Sequence, residues 1–142
     1  MSGLEFTILN GCDNMDFGRV TEMLAKSYWC PGIKLWEVRQ SAQNSALVVG
    51  AFTGGMQVGY SRAISDRTRF AYISDVYVDE NYRNNGIAQA MIDHILAHGN
   101  LKNVYQWLLI TKDAHKMYQR LGFSNTARPG DWMEIWGKRP DR

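Results

Sequence analysis

The sequence predicts an α+β domain on a mixed, mostly antiparallel sheet of about six to seven strands flanked by about four helices. Three observations carry this. The runs Ala46–Thr53, Met56–Ile64 and Phe70–Val78 follow one another across Thr53-Gly54-Gly55 and the polar turn Ser65–Arg69, which makes an antiparallel meander. In "YRNNGIAQAM", Asn85-Gly86 would suit a hairpin, but the apolar residues after it, Ile87, Met91, Ile92, Ile95 and Leu96, follow a helical period. The chain there goes strand, sharp turn, helix. A second such unit follows, with Val104–Ile110 as strand and Ala114, Met117, Tyr118 and Leu121 on one helical face.

The remaining elements fit around these. Glu5–Leu9 reads as a short strand, after which Asp13 or Asn14 caps a helix with Phe17, Val20, Met23, Leu24 and Ser27 on one face. Pro31-Gly32 interrupts it, and a second short helix covers roughly Lys34 to Ser41. Gly99 is expected to close the helix that starts near Gly86. Thr111 or Asp113 caps the last helix, which Gly122 ends, and Phe123–Ala127 with Trp132–Trp136 reads as a final hairpin across Pro129-Gly130.

No composition shift, repeat or low-complexity linker divides the chain, so one domain is expected over 1–142, large enough to bury a core without disulfides or metals. Net charge is +2, and Arg62, Arg67, Arg69 and Arg83 are scattered among polar residues; this argues against a nucleic-acid partner. Cys12 and Cys30 have no metal-ligand spacing and read as reduced thiols. No signal-peptide pattern opens the chain, and no apolar run nears the ~20 residues of a membrane span, so no membrane partner and a cytoplasmic location are expected.

The strand–turn–helix unit implies chemistry. A helix that begins at a glycine turn leaves its first amides unpaired and its positive dipole end open, and Asn84, Asn85, Gly86, Ile87, Ala88 and Gln89 supply those amides. Gly86 and Ala88 allow close approach to the backbone, so an anion site, most naturally for phosphate, competes with a helix start that binds only water. The spacing is neither the Rossmann fingerprint nor a P-loop.

"VDENYRNNGIA" resembles the coenzyme-A-binding signature of the GNAT N-acetyltransferases, with Arg83, Gly86 and Ala88 in its defining positions and Val78 closing the preceding strand. "TKDAHKMYQRLGF" resembles that family's second motif, a short helix ending Tyr-x-x-x-Gly-Phe. The resemblance implies a GNAT-like sheet whose fourth and fifth strands splay to admit acetyl-CoA. Val76, Tyr77 and Val78 would pair with its pantetheine arm, and the Asn84–Gln89 turn would hold its pyrophosphate. Arg83 would shape the turn or touch phosphate, unless it is an ordinary surface arginine. Thr111 stands where the family often has an Asn beside the cofactor. Single-step acetyl transfer to a primary amine, on a small molecule or peptide, is the implied reaction; a coenzyme A sensor or interaction module without turnover is the alternative. A homodimer is left open.

Amine acetylation poses two proton problems. An amine of pKa about 10.4 must lose a proton, costing roughly 4 to 5 kcal/mol at neutral pH, and a thiolate must leave. At the spacing of the family's thiolate-facing tyrosine, Tyr118 is the candidate acid, against a core tyrosine with a satisfied hydroxyl. Asp75, mid-strand in "AYISDVYV", either accepts the amine's proton and anchors its cation or pins the strand structurally. Ser74 lies where some relatives carry a glutamate base. His94 and His98 are four apart but gain no third ligand, so no metal is expected, and His115 reads as solvated. Glu22, Glu37 and Glu134 are weaker candidates for the acceptor pocket. Trp29, with Tyr28, Trp36, Trp132 and Trp136, is expected either to wall the acceptor site or to fill the core.

Overall fold

The structure, a computed structural model, describes residues 3–142; the first two positions of the expected domain lie outside the described residues. Five strands form one sheet in the order β1-β2-β3-β4-β5: β1 (Thr7–Asn10), β2 (Leu47–Thr53), β3 (Met56–Ser65), β4 (Phe70–Val78) and β5 (Gln106–Leu108). The first three pairings are antiparallel and β4–β5 is parallel. Four α-helices accompany them: α1 (Phe17–Leu24), α2 (Leu35–Gln43), α3 (Ile87–Ala97) and α4 (His115–Arg120).

Strand alternation divides the core between the two faces of the sheet. Leu47, Val49 and Ala51 point to one face, where Ile87, Met91, Ile92 and Ile95 of α3 and Tyr118 of α4 meet them. Val48 and Tyr60 point to the other, against Val20, Met23 and Leu24 of α1 and Val38 and Ala42 of α2. α3 packs so closely on β3 that a Cβ at Gly59 would lie 3.1 Å from Met91 Cε and 3.2 Å from Ile87 Cγ2. That glycine lets the start of α3 seat against the sheet, and with it the turn in front.

The local signals explain most boundaries. Asp16, rather than the expected Asp13 or Asn14, caps α1 by accepting from Arg19 N at 3.1 Å; the earlier pair lies in a preceding 3₁₀ turn, Cys12–Asn14. Lys34 N donates to Glu37 Oε1 at 3.2 Å and starts α2. At the end of α3 the cap is His98 in extended conformation, and Gly99 opens a 3₁₀ turn instead of adopting a left-handed cap.

The expected six to seven strands are five. Neither Phe123–Ala127 nor Trp132–Trp136 joins the sheet. Pro129–Asp131 forms a 3₁₀ turn, closed by Asp131 N to Arg128 O at 3.0 Å and an Arg128–Asp131 ion pair at 2.7 Å. That turn does not reverse the chain onto itself as a two-residue hairpin loop does. The expected strand Val104–Ile110 is also shorter, pairing only at Gln106–Leu108, because the chain then leaves β4.

Candidate active site at the splayed edge of the sheet

β4 is paired unevenly on its two sides. Toward β5 only Phe70, Ala71 and Tyr72 find partners, while Ile73–Val78 run on beside a diverging chain. Toward β3 the ladder is nearly complete, except that Ser61 faces both Asp75 and Val76: Tyr60 pairs with Tyr77 and Arg62 with Ser74. The extra residue is a β-bulge, and Asp75 carries it with φ 57°. An aspartate tolerates that left-handed conformation better than most residues. A bulge bends the strand and re-aims side chains, which suits a sheet that opens at this point.

Asp75 is held from two directions. Its Oδ1 accepts from Trp29 Nε1 at 2.9 Å and its Oδ2 from Arg62 Nε at 2.7 Å. Arg62 Nη1 donates in turn to Ser45 Oγ at 3.2 Å. The ion pair is mostly shielded from water, so loss of either partner would strand a charge in a poorly solvated place. Trp29, half-buried, stacks edge-on with Tyr28 at 5.0 Å and lies tilted against Tyr77 at 6.3 Å. Tyr60 Oη and Ser61 Oγ, buried beside the bulge, have no hydrogen-bond partner among the described residues.

At the end of β4 the turn adopts an anion-accepting shape. Asn84 and Gly86 have φ of 64° and 76°, and no side chain caps α3. The backbone amides from Asn84 to Gln89 donate to no acceptor among the described residues. A Cβ at Gly86 would meet nothing within 4 Å, so the space before these amides is open. Successive unpaired amides at a helix N-terminus form a concavity of positive potential. Asn85 Nδ2 holds the turn from within, donating to Tyr82 O at 2.9 Å and Arg83 O at 3.1 Å. Arg83 Nε donates to Val78 O at 2.9 Å while its guanidinium lies over the Tyr77 ring at 5.2 Å. The preceding loop is fixed by Asp79, which accepts from Asn81 N at 2.9 Å and pairs with Arg19.

Tyr118, on α4, is buried against Phe123 with ring centroids 5.7 Å apart. Burial, with smaller contributions from Tyr28 and Asp113, pushes its hydroxyl up to about 12. Lys112 Nζ sits over the Tyr28 ring at 4.4 Å. A chain of contacts thus runs from Arg83 through Tyr77 and Trp29 to Asp75, with Tyr28 packed on Trp29. Thr111 spends its hydroxyl oxygen on Ala114 N at 3.1 Å, at the start of α4.

The other candidates lie apart from this cluster. His94 Nε2 is 2.8 Å from Asn10 Nδ2, and His98 accepts from Asn100 N at 3.1 Å. Among the described residues no group of three or more His, Cys, Asp or Glu is placed to hold a metal ion. Trp36, Trp132 and Trp136 are exposed, and Glu37 is engaged by Arg142. A groove of about 640 Å³ lies along β5, lined by Leu96, Trp107, Phe123 and Trp132, not at the amide turn. Arg62 is the residue that sequence reasoning missed: in the ladder it faces Ser74, and its side chain reaches the neighbouring Asp75 at the bulge.

Comparison with known proteins decides the family. The model for the acetyltransferase (GNAT) family matches residues 17–123. The chain belongs to the GNAT acetyltransferase family. A GNAT-family acetyltransferase structure from Xanthomonas campestris pv. campestris is 31% identical, covering 96% of each chain with a TM-score of 0.89. A GNAT-family protein from Streptococcus pneumoniae is 23% identical over 96% of this chain and 100% of its own, TM-score 0.75. An acetyltransferase from Clostridium acetobutylicum, solved with acetyl-CoA, shares the fold at 18% identity over 92% of this GNAT chain and 96% of its own, TM-score 0.70. No curated protein matches the sequence significantly. No helix of the described residues is long and apolar enough to cross a membrane.

Proposed function

We propose that this GNAT-family chain is an acetyl-CoA-dependent N-acetyltransferase that acts on a primary amine by direct attack in a ternary complex. The observation that carries this reading is the run of undonated amides from Asn84 to Gln89, open to solvent at the end of a strand whose β5-facing edge is unpaired beyond Tyr72. These groups fit the co-substrate: dipoles for a pyrophosphate, and a free strand edge at Val76, Tyr77 and Val78 for an amide-containing arm. Acetyl-CoA supplies an activated acetyl thioester; the protein supplies positioning and protons. No metal is required by this reading.

Tyr118 is assigned to the leaving sulfur. With its hydroxyl pushed up to about 12 it stays protonated throughout the working range. Against a free thiol of pKa about 8.5, full proton transfer from such a phenol is uphill by roughly 4 to 5 kcal/mol. Tyr118 therefore works chiefly by donating a hydrogen bond to developing charge on sulfur, and transfer follows only as far as the same dry surroundings raise the thiol. Asp75 keeps free lone pairs beyond its two hydrogen bonds, since an ionised carboxylate has about four acceptor positions. Those suit an ammonium group or a relaying water. Trp29 and Tyr28 supply an aromatic wall for the acceptor's alkyl body and cation.

The test is coenzyme A thiol release from acetyl-CoA across a panel of small and peptide amines. Amine-dependent release, with acetylated amine found by mass spectrometry, is expected. Coenzyme A binding with no amine accelerating release would overturn the enzyme in favour of a sensor.

A further inference from the structure

Glu37 takes no part in the chemistry assigned above, yet its carboxylate is arranged as a receptor. It stands in the first turn of α2, where its Oε1 accepts from Lys34 N at 3.2 Å, so the helix itself fixes its orientation. Both of its oxygens face one guanidinium: Arg142 Nε donates to Oε1 at 3.2 Å and Arg142 Nη2 to Oε2 at 2.5 Å. A planar guanidinium makes this paired fork and an ammonium does not. The two side chains are 14% and 12% exposed, so the pair is mostly shielded from water. Gly32 forms the floor: with φ 71° and no side chain it lets Arg142 lie against the backbone, and a Cβ there would sit 3.3 Å from Arg142 Cβ.

This pocket adjoins the aromatic wall of the acceptor site. Trp29, hydrogen-bonded to Asp75, is three residues before Gly32, a separation of at most about 11 Å along the chain. Cys30 lies between them; burial chiefly pushes its thiol up, and among the charges acting on it Asp75 raises it while Arg142 and Arg139 lower it. One buried thiol thus registers both the acceptor-side carboxylate and the cations of the tail. The same loop holds a second cation of the chain, Lys112 Nζ over the Tyr28 ring at 4.4 Å. Two separate elements therefore lay cations on the stretch that joins α1 to α2.

Arg142 is a replaceable occupant. From Met133 to Asp141 the tail makes no backbone–backbone hydrogen bond and no ion pair among the described residues. A flexible tether presents its end group at an effective concentration of about a millimolar, so a ligand with a guanidinium and one further contact displaces it. We propose that Glu37 and Gly32 form a guanidinium subsite of the acceptor site, filled by Arg142 in the resting chain, and that the acceptor is a peptide amine with an arginine a few residues away. A separation of the order of that between Trp29 and Gly32 is spanned by about three extended residues, which suits a peptide. The acceptor role rests on the acetyltransferase reading; the guanidinium subsite itself does not.

The test has two arms. In the first, Nα-acetyl-argininamide, which has the guanidinium but no amine to acetylate, is titrated into Arg142→Ala by NMR. It should shift the Gly32 and Glu37 amide signals, and should lose this effect when Glu37→Gln is added; glutamine still accepts from Lys34 N, so the start of α2 is kept. In the second arm, coenzyme A release is followed with end-blocked peptides that carry one lysine and, two, three or four positions away, either arginine or citrulline. In Arg142→Ala the arginine peptide of the fitting spacing should be preferred in kcat/KM by about 10- to 150-fold. The preference should be smaller in the native chain, where Arg142 competes, and should vanish with Glu37→Gln. Argininamide that leaves Arg142→Ala unmoved overturns the subsite. Binding without any preference for arginine over citrulline, or a preference that survives Glu37→Gln, overturns its place in the acceptor site. If argininamide binds through Glu37 while no amine at all accelerates release, the subsite stands and the acetyltransferase reading is what fails.

Discussion

Replacing Gly86 by alanine separates two costs that the structure makes calculable. The residue has φ 76° and open space where a Cβ would go, so the only internal penalty is left-handed backbone strain. That strain is roughly 1 to 2 kcal/mol, or about 3 to 7 °C in Tm for a domain of this size. Coenzyme A binding should suffer more than this if the amides grip a pyrophosphate. One charge-assisted hydrogen bond lost is about 1.5 to 3 kcal/mol, which corresponds to roughly a 10- to 150-fold rise in Kd. Gly54→Ala serves as the control: φ is 55°, nothing lies within 4 Å, and the residue sits in the β2–β3 turn away from the site. Calorimetric titration with coenzyme A and thermal unfolding on both variants give the comparison. Equal losses of Tm with affinity lost only in Gly86→Ala are expected. A Gly86→Ala protein that binds coenzyme A within twofold of native would refute the pyrophosphate assignment. Gly86→Val, adding a β-branch at positive φ, should be worse on both counts.

Three further outcomes are expected. Tyr118→Phe should lower kcat about 10- to 1,000-fold while leaving coenzyme A affinity nearly unchanged; native kcat in that variant would remove the role at sulfur. With Tyr118 protonated up to about 12, kcat/KM should rise with pH as the amine is deprotonated and show no falling limb from this phenol at pH 7 to 10; a descending limb lost in Tyr118→Phe would contradict its placement. Asp79, opposed by burial but lowered overall by Asn81 N and Arg19, and Glu37, lowered first by Arg142, have depressed carboxyl pKa values. The stability they add is present above their unfolded values, near 4, and falls as pH drops through their folded values, so Arg19→Met should flatten the acid limb of a Tm-against-pH curve.

The helices and the meander were legible because their signals are local. β4 matches its expected span, Phe70–Val78, since alternation and flanking turns define it. The amide turn was legible too, because Asn85-Gly86 followed by a helical period leaves few geometries. The final hairpin was not. Phe123–Ala127 and Trp132–Trp136 flank a Pro129-Gly130 turn signal and hold aromatic and β-branched residues, but a strand forms only where an edge receives it, and residue type does not name that edge. The partner of Asp75 was hidden for a different reason. Arg62 faces Ser74 in the ladder and meets Asp75 beside it at the bulge, and a bulge shifts register without leaving a mark in composition.

Asp75→Asn is the sharpest probe of that bulge, because asparagine also accepts the left-handed backbone and keeps a hydrogen-bond acceptor for Trp29. What it removes is the charge opposite Arg62. Breaking a buried pair from one side costs about 3 to 5 kcal/mol; this one is 13% and 9% exposed at its two side chains, which argues for the lower half of that range. Tm should fall by about 10 to 13 °C. Adding Arg62→Met should recover most of that, since the stranded cation is gone. If Asp75 serves only to hold the strand and Trp29, the double variant regains activity along with stability. If it meets the acceptor amine as well, stability returns and kcat/KM does not. A single variant as stable as native would show that the ion pair contributes nothing at the bulge.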